Sequence, residues 1–268
     1  MANAFSISMP SLEQEKNYQY LAWAREAGFT AIECELAHTD DPDVRCIVQT
    51  GLDRYGMRIS GIRTGISYTL EGLCLSSGNP EIVAAATERL IAINRFCALH
   101  PGCLNLIGMM QGRIDSSEAY PGARSQIIKA LKSICRSAED LGVKVSLEAV
   151  NHLLINYHNT LGSVAEIISE VNSPALGLLA DTFHMNIEEK SMTAPLLEYG
   201  HLINHFHVAD SNRWAPGRGH IDFAAVFAAL KQIGYKGWIT VESDPKPDYA
   251  TMARESYAAL IRHENKQD

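Results

Sequence analysis

Four short stretches carry side chains that could do chemistry together. Val145-Ser146-Leu147-Glu148, Leu178-Leu179-Ala180-Asp181 and Ile239-Thr240-Val241-Glu242 are β-prone runs that end on a carboxylate, and His205-Phe206-His207-Val208 carries imidazoles. Three carboxylates brought close together raise one another's pKa, and a divalent cation relieves that repulsion. Three oxygen donors and one imidazole suit a fairly hard ion, Mn2+ ahead of Co2+ or Mg2+, and Zn2+ accepts the same donors. Taken singly, each residue has a plainer account. A strand-terminal acid such as Asp181 caps the following helix, and a histidine in an apolar strand is a satisfied core residue, a reading that stays open for His205. Side chains on a strand alternate faces, so Glu148, Asp181, His207 and Glu242 can all point to one axis. Four coincident strand ends favour a site over four unrelated caps.

Such convergence needs a scaffold, and the chain repeats a short strand and a longer helix. Strands are expected at Phe5–Met9, Thr30–Glu35, Arg58–Thr64, Leu104–Gly108, Lys144–Glu148, Leu176–Asp181, Ile203–Ala209 and Trp238–Glu242. Helical patterns fall near 12–27, 42–55, 80–98, 124–141, 161–172, 190–199, 223–233 and 249–263. Asn79-Pro80-Glu81 reads as a helix start, and Gly142 and Gly234 read as left-handed helix ends. Eight alternations imply a parallel sheet, and closure makes a (β/α)8 TIM barrel occupying residues 1–268 as a single domain. An open doubly wound sheet is the alternative, but Met9-Pro10-Ser11-Leu12 lacks the glycine-rich turn of a dinucleotide site.

Hydrophobic residues make up 46% of the 268, enough to fill one such core, and the net charge is −8. No basic stripe suggests nucleic acid. No apolar run is long enough to span a membrane, and the N-terminus lacks signal-peptide features. The six cysteines have no CxxC spacing, so they read as reduced thiols of a cytoplasmic protein.

Further candidates are weaker. His184, three residues past Asp181, could donate to a substrate oxygen or simply sit at a helix N-terminus. Arg213 lies in the loop after strand seven, and Arg218 and the glycines of Pro216-Gly217-Arg218-Gly219-His220 could approach a ligand there. Trp214 could line the cleft or cover the loop. Glu188 and Glu189 are expected to begin the next helix. Glu33 and Glu35 share a face and could both be pocket residues, but they read first as charged-face or ion-pair residues. "GMMQGR" (108–113) is expected at the pocket rim, with Arg113 as a candidate substrate contact.

The stretches "SLEAVN" (146–151), "LADTFHMNIEE" (179–189), "HFHVADSNRWAPGRGHIDF" (205–223) and "GWITVESDP" (237–245) resemble the xylose-isomerase-like TIM barrel superfamily, in its D-tagatose 3-epimerase-like branch of sugar isomerases. The ligand intervals of 33, 26 and 35 residues are similar to that branch's own. The likeness is specific from about residue 144; before that it is mostly architectural, with "LEGLCLSSGNPEI" (70–82) the most familiar piece. It implies that Glu148, Asp181, His207 and Glu242 hold one divalent metal ion. It also implies that Glu148 and Glu242 are the acid/base pair, and that His184 and Arg213 contact substrate oxygens. The family pattern has Pro, Arg, an aromatic and Glu where this chain has Ala149, His152, Leu153 and Leu154. The missing carboxylate at 154 would bind the substrate's end hydroxyl, so the metal set is intact while free-ketose specificity is open. Similar proteins are commonly homo-oligomers, which implies a dimer or tetramer.

A proton beside a ketone is weakly acidic, and a chelated metal lowers the cost of removing it. One glutamate takes the proton and the other returns one on the opposite face. The leading expectation is therefore a 3-epimerase or isomerase of a ketose or ketose derivative, working through a metal-stabilised cis-enediolate. Its competitors on the same metal site are an aldose–ketose isomerase, similar to hydroxypyruvate isomerase, and an inosose dehydratase-type lyase. A barrel endonuclease is opposed by the charge and the small ligand set. A non-catalytic binding barrel is opposed by a complete acid/base pair with a metal.

Overall fold

The computed structural model describes residues 4–116 and 119–265. Eight strands form one closed parallel barrel in chain order: β1 (Ala4–Ser8), β2 (Ala31–Glu35), β3 (Arg58–Arg63), β4 (Leu104–Ile107), β5 (Lys144–Glu148), β6 (Leu176–Asp181), β7 (Ile203–Val208) and β8 (Trp238–Val241). β1 pairs with both β2 and β8, which closes the ring. This is the (β/α)8 architecture implied by the strand–helix alternation.

The helices outside the ring are α1 (Tyr18–Ala27), α2 (Pro42–Tyr55), α3 (Gly65–Glu71), α4 (Pro80–Cys97), α5 (Tyr120–Leu141), α6 (Leu161–Val171), α7 (Thr182–Glu188), α8 (Ala194–Tyr199), α9 (Phe223–Gln232) and α10 (Tyr249–Asn265). Asn79 caps α4 by accepting from Glu81 N at 2.9 Å, with Pro80 in the first turn. Gly142 after α5 and Gly234 after α9 take φ of +68° and +67°, the left-handed geometry that glycine adopts without Cβ strain.

Three expectations shift. Residues 12–14 are not helical, because Glu13 turns away to accept from Ala37 N and His38 N at 2.6 and 2.8 Å. The helix expected from 190 starts at Ala194, with Pro195 in its first turn. Two seven-residue helices, α3 and α7, follow β3 and β6 directly; neither is long enough to show a helical period.

Inside the ring, Ala31, Leu104, Leu106, Leu179 and Trp238 form a buried apolar plug. A much larger cluster lies between the strands and the helices. Register shifts place one extra residue in β3 and one in β7, Ser60 and Asn204. Asn204 spends its side chain on Ser146 Oγ and Val145 O, at 2.6 and 2.9 Å. Beyond the plug the interior turns polar, at the carboxyl ends of the strands where barrel enzymes carry their chemistry.

Candidate metal centre

Glu148, Asp181, His207 and Glu242 converge, and each offers a donor atom within 4.8 Å of the others. Asp181 is fully buried, and His207 and Glu148 are 1% and 9% exposed. His207 Nδ1 lies 3.4 Å from Glu242 Oε2, 3.6 Å from Glu148 Oε1 and 4.0 Å from Asp181 Oδ2. Asp181 serves two ends at once. Its Oδ1 accepts from Phe183 N at 2.7 Å and caps α7, while its Oδ2 is left without a hydrogen-bond partner. The cap reading and the ligand reading describe opposite oxygens of one carboxylate.

The other ring nitrogen of His207 is fixed by a residue that sequence reasoning undervalued. Glu33, fully buried on β2, accepts from His207 Nε2 at 3.0 Å and from His205 Nε2 at 2.8 Å. Burial alone would raise the Glu33 carboxyl, but the two histidines outweigh it and hold it at about 2. His205 is thus a core histidine that helps to anchor Glu33. It is buried, its pKa is lowered by burial, and it also meets Thr240 Oγ1 at 3.2 Å. His207 rises well above the ordinary range despite its burial, because Glu33 and Glu242 face it. Carboxylates therefore draw positive charge to Nδ1, the nitrogen turned towards the three other donors.

Two arginines balance part of this charge. Arg63 at the end of β3 donates to Glu242 Oε1 at 2.8 Å and to Met9 O at 2.9 Å, and its Nε lies 3.3 Å from Glu33 Oε1. Arg213 donates to Glu242 Oε2 at 2.8 Å and stacks on the Phe183 ring at 4.8 Å. Burial opposes ionisation of Glu242, yet Arg213 and His207 keep its carboxyl well below the usual range. Burial pushes Asp181 up to about 6 against the pull of Arg213. The carboxylates Glu33, Glu148, Asp181 and Glu242 outnumber the two guanidiniums, so the cluster is acidic whenever His207 is neutral, the form in which it can hold a cation. Glu148 Oε1, Asp181 Oδ2 and His207 Nδ1 are buried polar atoms without hydrogen-bond partners. Orphaned donors of this kind need an explanation, and a cation among them supplies one.

Local structure aims each group. Arg213 is held at φ +61°, a region that non-glycine residues rarely occupy. It is locked by Arg213 N to Asp210 O at 2.8 Å and Asp244 N to Arg213 O at 2.7 Å. The Asp210 carboxylate gathers the amides of Gly217, Ser211 and Ile221 at 2.7, 2.8 and 3.1 Å. The amides of this glycine turn are thereby tied to the protein's own acid instead of pointing at a ligand. A side chain at Gly108 would push the Glu148 carboxylate out of place, since a Cβ there would lie 2.2 Å from Glu148 Oε2. His184 is 2% exposed in the first turn of α7. Its Nε2 lies 3.7 Å from both Glu148 Oε1 and Asp181 Oδ2, and its Nδ1 is 2.7 Å from Asn151 Nδ2.

Glu35 lines the cavity beside Arg63 and Glu242, and the candidates that follow separate from the site. Arg113 clasps the carbonyls of Leu153 and Leu154 at 3.3 and 2.9 Å, so it braces the loop after β5. Arg218 pairs with Glu255 of α10. Trp214 packs beneath Lys246 at 5.6 Å. Glu188 and Glu189 end α7 instead of beginning a helix. Glu188 accepts from His152 N at 2.6 Å, and Glu189 accepts from Leu161 N at 2.8 Å. Arg63 was the residue missed; only its place at the end of strand three could have flagged it.

A cavity of about 220 Å3 reaches the cluster, lined by Gly108, Met109, Glu148, His207, Arg213 and Glu242 among others. Two glutamates on one small polar cavity, beside orphaned metal donors, can remove and return a proton on the carbon next to the carbonyl of a bound hydroxy ketone.

Comparison with known proteins agrees with this chemistry. A family model described as "Xylose isomerase-like TIM barrel" matches residues 21–263. The ketose 3-epimerase of Arthrobacter globiformis is 32% identical over 222 residues, covering 82% of this chain and 74% of that protein. The L-ribulose 3-epimerase of Methylomonas sp. (strain DH-1) is 32% identical over 240 residues, covering 84% and 80%. The solved D-allulose 3-epimerase from Methylomonas sp. superposes with a TM-score of 0.84 at 26% identity and covers 98% of each chain.

Proposed function

The chain belongs to the xylose isomerase-like TIM barrel family, and from that premise we propose that it is a metal-dependent 3-epimerase of a ketose or ketose derivative. The observation that carries this reading is the set of orphaned, buried donors on Glu148, Asp181 and His207, with Glu242 completing the cluster. Those four residues would hold one divalent cation, Mn2+ in our reading, because hard oxygen donors outnumber the single nitrogen. When bound, the cation supplies Lewis-acid polarisation of a ketone oxygen and stabilises the charge that develops there.

The protein's own groups do the rest. Glu148 and Glu242 reach the cavity from β5 and the end of β8, with β6 and β7 between them. One takes the proton from the carbon beside the ketone and the other delivers a proton to the opposite face, which inverts that centre. Arg63 and Arg213 keep Glu242 ionised and therefore ready as a base. His184, pushed by burial towards its neutral form, donates through Nε2 to a substrate oxygen while Asn151 donates to its Nδ1. The apolar plug below and the rim residues around the cavity exclude water from the exchanged proton. We propose that this work takes place in the cytoplasm and in a homo-oligomer.

Glu148→Gln and Glu242→Gln test the assignment, since each keeps the shape but cannot carry the proton. Each is expected to lower kcat by about 10²–10⁴-fold on a ketohexose assayed with added Mn2+. Wild-type turnover in either variant would contradict its role. An isomeric aldose as the only product would move the reading to the aldose–ketose isomerase, and loss of water would move it to the lyase.

A further inference from the structure

The small inner cavity is not the only space beside Glu242. A second cleft of about 570 Å3 opens from it, and the two share Glu35, Arg63, Arg213 and Glu242 as common walls. Its outer wall is aromatic: Tyr20 and Trp23 on α1 and Tyr249 at the start of α10. The three rings brace one another, with Tyr20 4.9 Å from Tyr249 and 5.5 Å from Trp23, edge to face. Tyr249 is fastened further by donating its hydroxyl to Ser8 O at 3.1 Å. The same cleft is lined by the polar residues Ser8, Ser243 and Asp244, with Ser243 Oγ donating to Trp214 O at 3.0 Å. Rigid aromatic faces with a few hydroxyl and carboxylate groups are the chemistry that binds a sugar ring. The ring's C–H face packs on the aromatics, and its hydroxyls bond to the polar side.

The inner cavity is too small for more than one sugar unit, since sites for larger ligands usually run to roughly 300–1,000 Å3. The aromatic cleft adds surface for a further unit at the Glu242 side of the inner cavity.

We propose that this cleft is a second-ring subsite, and that the substrate is a sugar ketone glycosidically linked to a further sugar. This rests on the epimerase reading above and names its substrate class. The test measures kcat/KM in Mn2+-containing D2O for D-fructose, for 6-O-α-D-glucopyranosyl-D-fructose and for a 3-keto-disaccharide, following deuterium uptake. At least one glycosylated probe is expected to exceed D-fructose by about tenfold or more. Trp23→Ala and Tyr20→Leu should each lower kcat/KM for that probe about tenfold more than for D-fructose, mostly through KM. The residual D-fructose turnover reports that each variant has folded. If D-fructose turns over and both glycosylated probes lag behind it, the subsite is overturned and the epimerase reading stands. If no probe takes up deuterium, both fall together.

Discussion

His207 can serve as a ligand because its far nitrogen is already committed. Glu33 accepts from His207 Nε2 at 3.0 Å, which sets the tautomer and leaves Nδ1 for the cluster. Carboxylate–histidine pairs of this kind orient a ligand and raise its basicity, and losing the carboxylate typically weakens metal affinity 10–100-fold. Glu33→Gln is therefore expected to weaken Mn2+ binding by about that factor, read by titration calorimetry and by the Mn2+ concentration that half-restores turnover. Unchanged Mn2+ affinity would refute Glu33 as a positioning residue. The four candidate donors were legible in the sequence because three carboxylates close β-prone runs and His207 falls on the same register near the end of another. Glu33 was legible mainly as an ion-pair residue and Arg63 not at all, since β2 and β3 lie far upstream and only ring closure brings them to His207 and Glu242.

At the scale of elements, the site depends on short segments that carry little pattern of their own. Helix α7 spans only Thr182–Glu188, yet it takes its cap from Asp181 and buries His184. The loop after β7 was legible as a turn through Pro216-Gly217 and Gly219. Its organising residue was not, because nothing local distinguishes Asp210 from an ordinary loop acid. Burial works against ionisation of Asp210, yet the backbone amides it gathers hold its carboxyl below the usual range. Hydrogen bonds to a charged group contribute about 1.5–3 kcal/mol. Asp210→Ala should therefore cost on the order of 2 kcal/mol of stability and free Arg213 from its φ of +61°. Denaturant unfolding and steady-state kinetics would show it: a lower midpoint, with KM raised and kcat reduced. A variant with native kinetics would mean that the loop does not aim Arg213.

The whole molecule is a closed ring whose two buried faces read as apolar strands, which is why the architecture was legible while register was not. The extra residues Ser60 and Asn204 that shift it leave no mark on a pattern with a period of two. Global stability also holds a pH signature outside the site. His158 is 4% exposed, between β5 and α6, with Nε2 3.1 Å from the Tyr120 hydroxyl. Burial, with Arg124 adding to it, lowers its pKa to about 4. The unfolded chain takes up that proton near the ordinary histidine value and the folded chain does not. Stability is therefore full above about pH 6.5 and falls as the pH drops towards 4, by at most roughly 3–4 kcal/mol. His158→Asn, which tolerates the residue's φ of +53°, should shrink the drop in Tm between about pH 7.5 and 4.5, both proteins being metal-free. An equal drop in both would assign the acid sensitivity elsewhere.

The most direct measurement follows deuterium. The protein is freed of metal by chelation and incubated with a ketohexose in D2O, then supplied with Mn2+, and NMR locates the label. No exchange is expected in the chelated protein, and with Mn2+ a single deuterium is expected at carbon 3 of the epimerised product. Full epimerisation without metal, or label at another carbon, would contradict a metal-assisted proton transfer between Glu148 and Glu242.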